Sequence, residues 1–206
     1  MEHTRGAILE AARRLFNERG VAKTKTRDIA AMLNISQGNL TYHFPQRAAL
    51  VEELYFLMIG ELDQLMAELG GAGISLQVVY QWTLAQSEIQ QRYMFIWLDF
   101  ARIKIEHPRI EAHFAALIDL RKGSFSLLID ALQQAGILLG DISKEQSYWL
   151  FEQILVLGNF WPHAESVFQK DQSSTKHYTL LTLAPLLPYF SKTGLEAWQA
   201  LSGNQP

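Results

Sequence analysis

The sequence predicts an all-α protein, and three features of its pattern lead to this fold class. Apolar residues recur at the three- and four-residue spacing of amphipathic helices along most of the 206-residue chain. Gly, Asn and Pro stand where these periodic segments stop, as is common at helix ends. No stretch alternates apolar and polar residues as a half-buried strand does, and no internal repeat or low-complexity tract is present.

Two short helices are predicted within the first 35 residues. The first has apolar side chains on one face and ends at Gly20, where a left-handed residue is needed. The second starts after Thr26, whose hydroxyl is expected to cap the first turn. It is followed by a tight turn at Asn34, because asparagine tolerates the left-handed conformation better than most residues.

The third predicted helix, Gln37 to His43, has little to bury beyond Leu40. Ser36 precedes it as the expected N-cap. A helix that buries so little against its own protein needs another partner. Small, amide and hydroxyl side chains suit insertion into the major groove of DNA, where they can approach base edges. The outward residues are Gln37, Gly38, Asn39, Thr41, Tyr42 and His43.

Charge is distributed unevenly along the chain. Residues 1–50 hold eight Lys/Arg and four Asp/Glu, whereas the remainder holds ten and seventeen, so a basic head precedes an acidic body in a chain of net charge −3. This asymmetry suits contact between the head and a polyanion, although chance alone would explain it about as well. The groups suited to phosphate are the hydroxyls of Thr26 and Ser36 and the charges of Lys25, Arg27 and Arg47.

The same segment resembles the N-terminal signature of the TetR/AcrR-type one-component regulators. The matching residues are Ile8–Ala12, Leu15, Phe16, Gly20, Thr26, Ile29, Ala30, Ile35, Ser36, Gly38–Leu40, Tyr42–Phe44, Arg47 and Leu50. The resemblance implies an N-terminal three-helix helix-turn-helix DNA-binding domain, residues 1–47. A larger helical-bundle effector and dimerisation domain, residues 48–206, would follow through a long helix that starts near residue 46.

The resemblance also implies roles for individual residues. Positions that touch phosphate in the family correspond to Thr26, Ser36, Tyr42, His43 and Arg47. Positions that face or approach bases correspond to Gln37, Gly38, Asn39 and Thr41. Two residues depart from the pattern: Thr41 stands where the family often has tyrosine, and Pro45 where lysine is common. Each departure would shift contacts without changing the binding mode.

The rest of the chain predicts a series of longer helices. The first runs from Arg47 to about Leu69, and a glycine-rich loop, Gly70–Gly73, follows it. Its apolar stripe is Leu50, Leu54, Leu57, Met58, Leu62 and Leu65. Further helices are expected over residues 75–87, 90–106, 108–135, 143 to about 162, 177–190 and 193–201.

The segment from Tyr93 to Phe100 is apolar on every side except at Asp99. A buried core helix is the plainer interpretation. The resemblance implies instead that this region lines a cavity for a hydrophobic or cationic organic effector. The expected lining residues are Gln86, Tyr93, Trp97, Asp99 and Phe100. A buried Asp99 would need a partner, and Arg102 is the nearest candidate.

Homodimerisation is expected through the last two long helical segments. The resemblance implies that they pair with their symmetry mates in a four-helix interface, although core packing within one subunit would give the same pattern. The candidate interface residues are Trp149, Gln153, Ile154, Leu157, Leu180, Leu183 and Leu187. A twofold dimer would present two recognition helices to a pseudo-palindromic site.

Other chemistries find no support in the sequence. The chain has no cysteine, which excludes disulfides, thiolate zinc sites and cysteine nucleophiles. It also lacks nucleophile-elbow, P-loop, dinucleotide-binding and Glu-x-x-His motifs, so neither an enzyme nor a cofactor nor a metal site is expected. Charged residues around Pro108 are interpreted as solvated; they are Glu106, His107, Glu111 and His113. Without a spanning segment or signal peptide, a cytoplasmic protein with no membrane contact is expected.

The sequence therefore predicts a dimeric DNA-binding transcriptional regulator, a repressor released by a small-molecule effector; activation in place of repression stays open. Two alternatives remain open. The protein can be a DNA-binding regulator without such an effector, or a helical-bundle enzyme or carrier whose head is vestigial.

Overall fold

Two left-handed residues set the turns between the N-terminal helices. In the computed structural model, which describes residues 2–69, 73–168 and 175–203, Gly20 has a φ of +79° and Asn34 a φ of +53°. Both turns therefore use the conformation predicted for them. The helices they separate are α1 (Glu2–Arg19), α2 (Thr26–Met32) and α3 (Gln37–His43).

The N-termini of α2 and α3 are capped differently. Ser36 caps α3 as predicted, since its hydroxyl accepts a hydrogen bond from the Asn39 amide at 3.1 Å. The predicted cap of α2 at Thr26 is wrong. Lys25 occupies that position in an extended conformation, and the Asp28 carboxylate accepts a hydrogen bond from the Lys25 amide at 3.0 Å. Thr26 is the first helical residue, so its hydroxyl is available to another partner.

The remainder of the chain is also helical. The elements are α4 (Arg47–Leu69), α5 (Leu76–Arg92), α6 (Met94–Leu98), α7 (Phe100–Glu106), α8 (Pro108–Gln134), α9 (Lys144–Phe168), α10 (Thr175–Leu183), a 3₁₀ helix (Ala184–Tyr189) and α11 (Lys192–Ser202). The described residues form no strand, only an isolated bridge between Leu138 and Phe190. Most of the predicted glycine loop, residues 70–72, lies outside the described residues. Among the described helices, none combines the length and apolar character needed to cross a bilayer.

Four predicted helices differ from the observed ones. The helix expected over 75–87 continues to Arg92, so α5 takes in the start of the next predicted segment. The segment 90–106 is interrupted at Tyr93 and Asp99, where the backbone leaves helical geometry. Helix α9 does not stop near Pro162 but continues to Phe168, because the buried ring of Pro162 lies in packing that offsets its missing hydrogen bond. The segment expected over 177–190 ends as the 3₁₀ helix, which carries Pro185 and Pro188.

The chain forms two compact units. The first unit comprises Met1–Glu61 and Arg92–His113, and the second comprises Leu62–Gln91 and Phe114–Pro206. Fully buried side chains of the first unit include Ile8, Phe16, Ile29, Leu40, Leu50, Leu54, Tyr55, Met58 and Ile96. The core of the second unit includes Leu76, Leu132, Leu138, Leu150, Leu183 and Leu186. Leu57 is exposed, contrary to its predicted place in the buried stripe of α4.

Gly194, near the start of α11, lies where a side chain has no room. A Cβ atom there would approach the Ile137 carbonyl oxygen to 2.3 Å and the Phe190 ring to 3.0 Å. We expect Gly194→Ala to lower the free energy of unfolding by about 1–3 kcal/mol through overpacking. Gly123→Ala in α8 is the control, because a Cβ at Gly123 meets nothing within 4 Å. The control is expected to gain up to about 1 kcal/mol in helix propensity. Urea denaturation measures both, and equal shifts would contradict the close approach at Gly194.

Candidate nucleic-acid interface

Helix α3 is held to the first unit by one buried side chain, as predicted. Leu40 is fully buried, and it is the one residue of α3 that is buried. Tyr42 is 75% exposed, and His43, which meets the Tyr42 ring edge-on, is half-buried. The exposed residues of the helix are Gln37, Gly38, Asn39, Thr41 and Tyr42. The face predicted to meet DNA is therefore accessible along the whole helix.

Side-chain hydrogen bonds add to the single apolar contact of α3. The Gln37 side chain donates from Nε2 to the Thr26 hydroxyl oxygen at 3.0 Å, which ties the start of α3 to the start of α2. The Thr41 hydroxyl donates to the Gln37 carbonyl oxygen at 2.9 Å. The Thr41 bond and the Ser36 cap lie within α3, so the bond from Gln37 to Thr26 is the one of these three that orients α3 relative to α2.

Gly38 is a glycine that the fold itself does not require. A Cβ atom there would meet only the Ser36 hydroxyl, at an unstrained 3.9 Å. Glycine inside a helix costs about 1 kcal/mol relative to alanine, so the protein forgoes stability at this exposed position. The missing side chain leaves the backbone of α3 open to close approach from outside.

The three predicted phosphate-binding cations have different surroundings. Lys25 and Arg27 are exposed, and Arg27 lies 3.8 Å from the Asp28 carboxylate. Arg47 is half-buried, and its Nη1 donates to the carbonyl oxygens of Ala22 and Thr24 at 3.3 and 3.2 Å. Arg47 therefore holds the turn before α2 against the start of α4. This structural role was not foreseen from the sequence.

Arg5 is a second connecting residue that the sequence analysis missed. Its guanidinium donates to the Glu53 carboxylate at 2.7 Å and lies 4.8 Å from the centre of the buried Phe44 ring. The hydrogen bond from Arg5 holds the pKa of Glu53 below its usual value. Arg5 thus connects α1 with α4 and with the residue that ends α3.

The predicted effector residues are divided between the two units. Trp97 is buried in the first unit and stacks on Phe100 at 5.4 Å, and its indole N–H finds no hydrogen-bond acceptor among the described residues. Asp99 is partly exposed and forms an ion pair with Arg102, the partner considered from the sequence. Gln86 is buried in the second unit.

Tyr93 is buried beside α4. Its hydroxyl donates to the Glu61 carboxylate at 2.5 Å. Burial, together with this hydrogen bond, raises the pKa of Tyr93 above its ordinary value. The hydroxyl therefore stays protonated at physiological pH and remains a hydrogen-bond donor to Glu61.

The predicted dimer residues separate into covered and exposed groups. Leu180 and Leu183 are buried within the second unit, and Ile154, Leu157 and Leu187 are partly buried. Trp149 and Gln153 are exposed. Val156 and Phe160, which the sequence analysis did not select, are exposed on the same face of α9. We call Trp149, Gln153, Val156 and Phe160 the α9 stripe; its spacing of four, three and four residues keeps it on one side of the helix.

An open groove of about 310 Å³ adjoins the α9 stripe within the second unit. It lies between the first half of α9 and the 3₁₀ helix. Its lining is Gln146, Trp149, Leu150, Gln153, Ala184, Pro185, Pro188 and Tyr189. The groove shares Trp149 and Gln153 with the stripe.

The interpretation of the residues around Pro108 as solvated is wrong for His107. This imidazole is buried, with Nδ1 3.5 Å from the Glu52 carboxylate, and Arg109 contacts the same carboxylate at 3.0 Å. The Nδ1 of His113 shares a 2.9 Å hydrogen bond with the Tyr55 hydroxyl. The described residues contain no group of three or more potential metal ligands. These histidines instead bind the first half of α4.

Two family models match consecutive parts of the chain. The model described as bacterial regulatory proteins, tetR family, matches residues 8–54, and the model described as bacterial transcriptional repressor matches residues 58–198. The second match alone covers more than half of the sequence. This protein belongs to the TetR family of transcriptional regulators.

Curated TetR-family relatives match parts of the sequence. The transcriptional regulator TtgR of Pseudomonas putida is 43% identical over 53 residues, which are 26% of this chain and 25% of TtgR. The repressor KstR2 of Mycobacterium tuberculosis is 31% identical over 137 residues, covering 63% of this chain and 65% of KstR2. The match thus spans about a quarter of the first of these relatives and just under two thirds of the second.

Solved structures of other proteins share the fold. A regulator from Marinobacter aquaeolei aligns with a TM-score of 0.86 at 20% identity, over 98% of this chain and 99% of that chain. A regulator from Saccharomonospora viridis in complex with choline aligns with a TM-score of 0.67 at 20% identity, over 88% and 94%. The SmeT–triclosan complex gives 0.66 at 18% identity, over 92% and 93%. At these identities the alignments show the fold alone.

The contacts of Arg47 predict that its loss destabilises the fold. We expect Arg47→Ala to lower the free energy of unfolding by about 1–3 kcal/mol, because two carbonyl groups lose their donor. Arg27→Ala is the matched control; that side chain is 72% exposed, and the change is expected to stay within about 0.5 kcal/mol. Chemical denaturation compares the two. An Arg47→Ala variant as stable as Arg27→Ala would contradict the connecting role.

Proposed function

We propose that this TetR-family protein binds a pseudo-palindromic DNA operator as a homodimer, represses transcription there, and is released by a small organic effector. The observation that carries the proposal is the surface of α3. A helix with one buried residue, a hydrogen-bonding exposed face and a glycine that its own fold does not need is suited to an external partner with closely spaced polar groups.

Within this proposal the residues of the head divide into positioning and reading groups. Lys25, Arg27 and the N-terminal turns of α2 and α3 contact phosphates, which fixes the register of the head on the duplex. Gln37, Asn39 and Thr41 approach base edges, where amide and hydroxyl groups discriminate between base pairs. The hydrogen bond between Gln37 and Thr26 supports this division, because it joins a residue proposed to contact bases to the first turn of α2, which is proposed to contact phosphate.

The division of roles along the chain is part of the proposal. Residues 1–47 form the DNA-binding domain and residues 48–206 the effector and dimerisation domain. The exposed α9 stripe supports dimerisation, since an uncharged, largely apolar helix face costs free energy while it faces water. We assign the twofold contact to this stripe and to the adjoining groove. Leu180 and Leu183, already buried, support it from beneath.

Repression and release follow from the separation of the two recognition helices. In the dimer, both copies of α3 enter successive major grooves, about 34–36 Å apart. An effector that binds better to a conformer with another separation lowers the affinity for DNA, and operator DNA lowers the affinity for the effector by the same factor.

The effector is proposed to act through Trp97 and its neighbours. Trp97 and Phe100 form a buried aromatic stack, and the unpartnered indole N–H favours a ligand that carries a hydrogen-bond acceptor. Because Asp99 is already paired with Arg102, an apolar ligand suits these residues better than a cationic one. The triclosan complex of SmeT is a precedent within the family for a small organic ligand.

Selection of bound sequences from a random DNA pool tests the function directly. We expect purified protein to enrich an inverted repeat whose half-site spacing reports the dimer geometry. Failure to enrich any sequence in dilute buffer would contradict DNA recognition and favour the enzyme or carrier alternative. With the operator in hand, a screen of aromatic compounds for release separates a ligand-controlled regulator from one without an effector.

The proposal predicts opposite effects of Gly38→Ala on stability and on DNA binding. The free energy of unfolding is expected to rise by up to about 1 kcal/mol, because alanine is the better helix former and has room. Affinity for the selected operator is expected to fall at least tenfold, because the methyl group blocks close approach to the duplex. Gly6→Ala, on α1, is the control for helix propensity, with unchanged affinity. A Gly38→Ala variant with native operator affinity would contradict the assignment.

The dimer assignment predicts that a charge in the α9 stripe separates the protomers. Val156→Asp places a carboxylate on the proposed twofold contact, where its desolvation is unfavourable, so we expect a monomer at micromolar concentration. Leu127→Asp on α8, where the leucine is 70% exposed, is the matched control and is expected to stay dimeric. Light scattering measures both. A native monomer, or a Val156→Asp dimer as stable as the control, would contradict the assignment.

A further inference from the structure

The break between α5 and α6 lies against helix α1 of the head, and the contact is made to backbone atoms. The carbonyl oxygen of Arg92, the last residue of α5, accepts hydrogen bonds from Arg13 Nη1 at 2.7 Å and from Asn17 Nδ2 at 2.9 Å. The same Asn17 side chain accepts a hydrogen bond from the Phe95 amide through Oδ1 at 3.0 Å. The Asn17 carboxamide thus forms hydrogen bonds with the residues on both sides of the break.

These backbone groups are the ones that helix ends leave without partners. The last carbonyls of a helix and its first amides have no intrahelical hydrogen bond. Arg92 ends α5, and Phe95 lies in the first turn of α6. Because Asn17 supplies a donor to one and an acceptor to the other, it acts as a cap for two helices at once. The groups exposed by the break in the segment predicted as one helix therefore have partners.

Apolar and charged contacts surround this double cap within the first unit. The buried rings of Phe16 and Phe95 lie 5.2 Å apart, so α1 and α6 also pack directly. On the far side of the break, Glu61 of α4 accepts the Tyr93 hydroxyl and pairs with Arg92. The junction is therefore held between α1 and α4, and α6, which begins there, carries Trp97.

We infer that Asn17 is a positioning residue that couples the α5–α6 junction to the DNA-binding head. A displacement of α6 moves the Phe95 amide relative to the Arg92 carbonyl, and Asn17 cannot bond both unless α1 moves with them. Since α1 packs against α2 in the head, the shift reaches the recognition helix without passing along α4. This inference rests on the proposed function, because it names the residue through which binding of DNA and the state of α6 influence each other.

Hydrogen exchange in the presence and absence of operator DNA tests the coupling. The probe is the operator selected from the random pool, and the readout is amide exchange over residues 92–98, measured by mass spectrometry. In the native protein we expect operator binding to slow exchange over this segment, because linkage makes the coupling reciprocal. In Asn17→Ala we expect about fivefold faster exchange without DNA, the effect of removing the hydrogen bond of the Phe95 amide, and no response to operator.

Two matched variants separate coupling from general destabilisation. Asn17→Asp keeps an acceptor for the Phe95 amide but places a second oxygen against the Arg92 carbonyl, so it is expected to lose the response as Asn17→Ala does. Glu18→Ala changes an exposed neighbour on α1 and is expected to behave as the native protein. Retention of the response in Asn17→Ala or in Asn17→Asp would overturn the assignment.

Two results with the native protein also decide the matter. If operator binds and exchange over 92–98 does not change, the coupling is wrong while the proposed function stands, even if Asn17→Ala fails to fold. If no operator binds at all, the proposed function fails and the coupling fails with it.

Discussion

The burial of Leu40 is the contact on which the DNA-binding head depends. It lets α3 sit on the head with a single apolar anchor while the other side chains of the helix remain available. One anchor fixes the position of α3 but not its rotation, and the bond from Gln37 to Thr26 supplies that remaining constraint. The other side chains of α3 are thus held in a defined orientation and are not used for packing within the head.

A second constraint arises where α5 ends. A chain that breaks a helix inside a packed unit must satisfy the carbonyl and amide groups that the break exposes. Here α1 and α4 provide the partners, through Asn17 and Arg13 on one side and Glu61 on the other. The head and the helix that carries Trp97 are consequently parts of one hydrogen-bonded arrangement.

Sequence reasoning predicted the features that local rules decide. The left-handed turns at Gly20 and Asn34, the Ser36 cap and the bounds of α3 and α4 follow from residue type and spacing, and the structure confirms them. The predictions were wrong where a residue contacts a partner that is distant in sequence. The break at Tyr93 is capped by Asn17, and the buried His107 contacts Glu52. A leucine in the core and a leucine in a dimer interface give the same sequence pattern. The burial of Leu183 within its own unit therefore could not be predicted.

The double cap at Asn17 has a consequence for how this protein can diverge. Asn17 contacts main-chain atoms of Arg92 and Phe95, which every amino acid except proline at position 95 would supply. Side chains at those two positions are free to change for the sake of their own neighbours without disturbing the link. Statistical covariation between columns of related sequences would therefore leave no trace of it, and mutational drift in α6 need not disconnect that helix from α1.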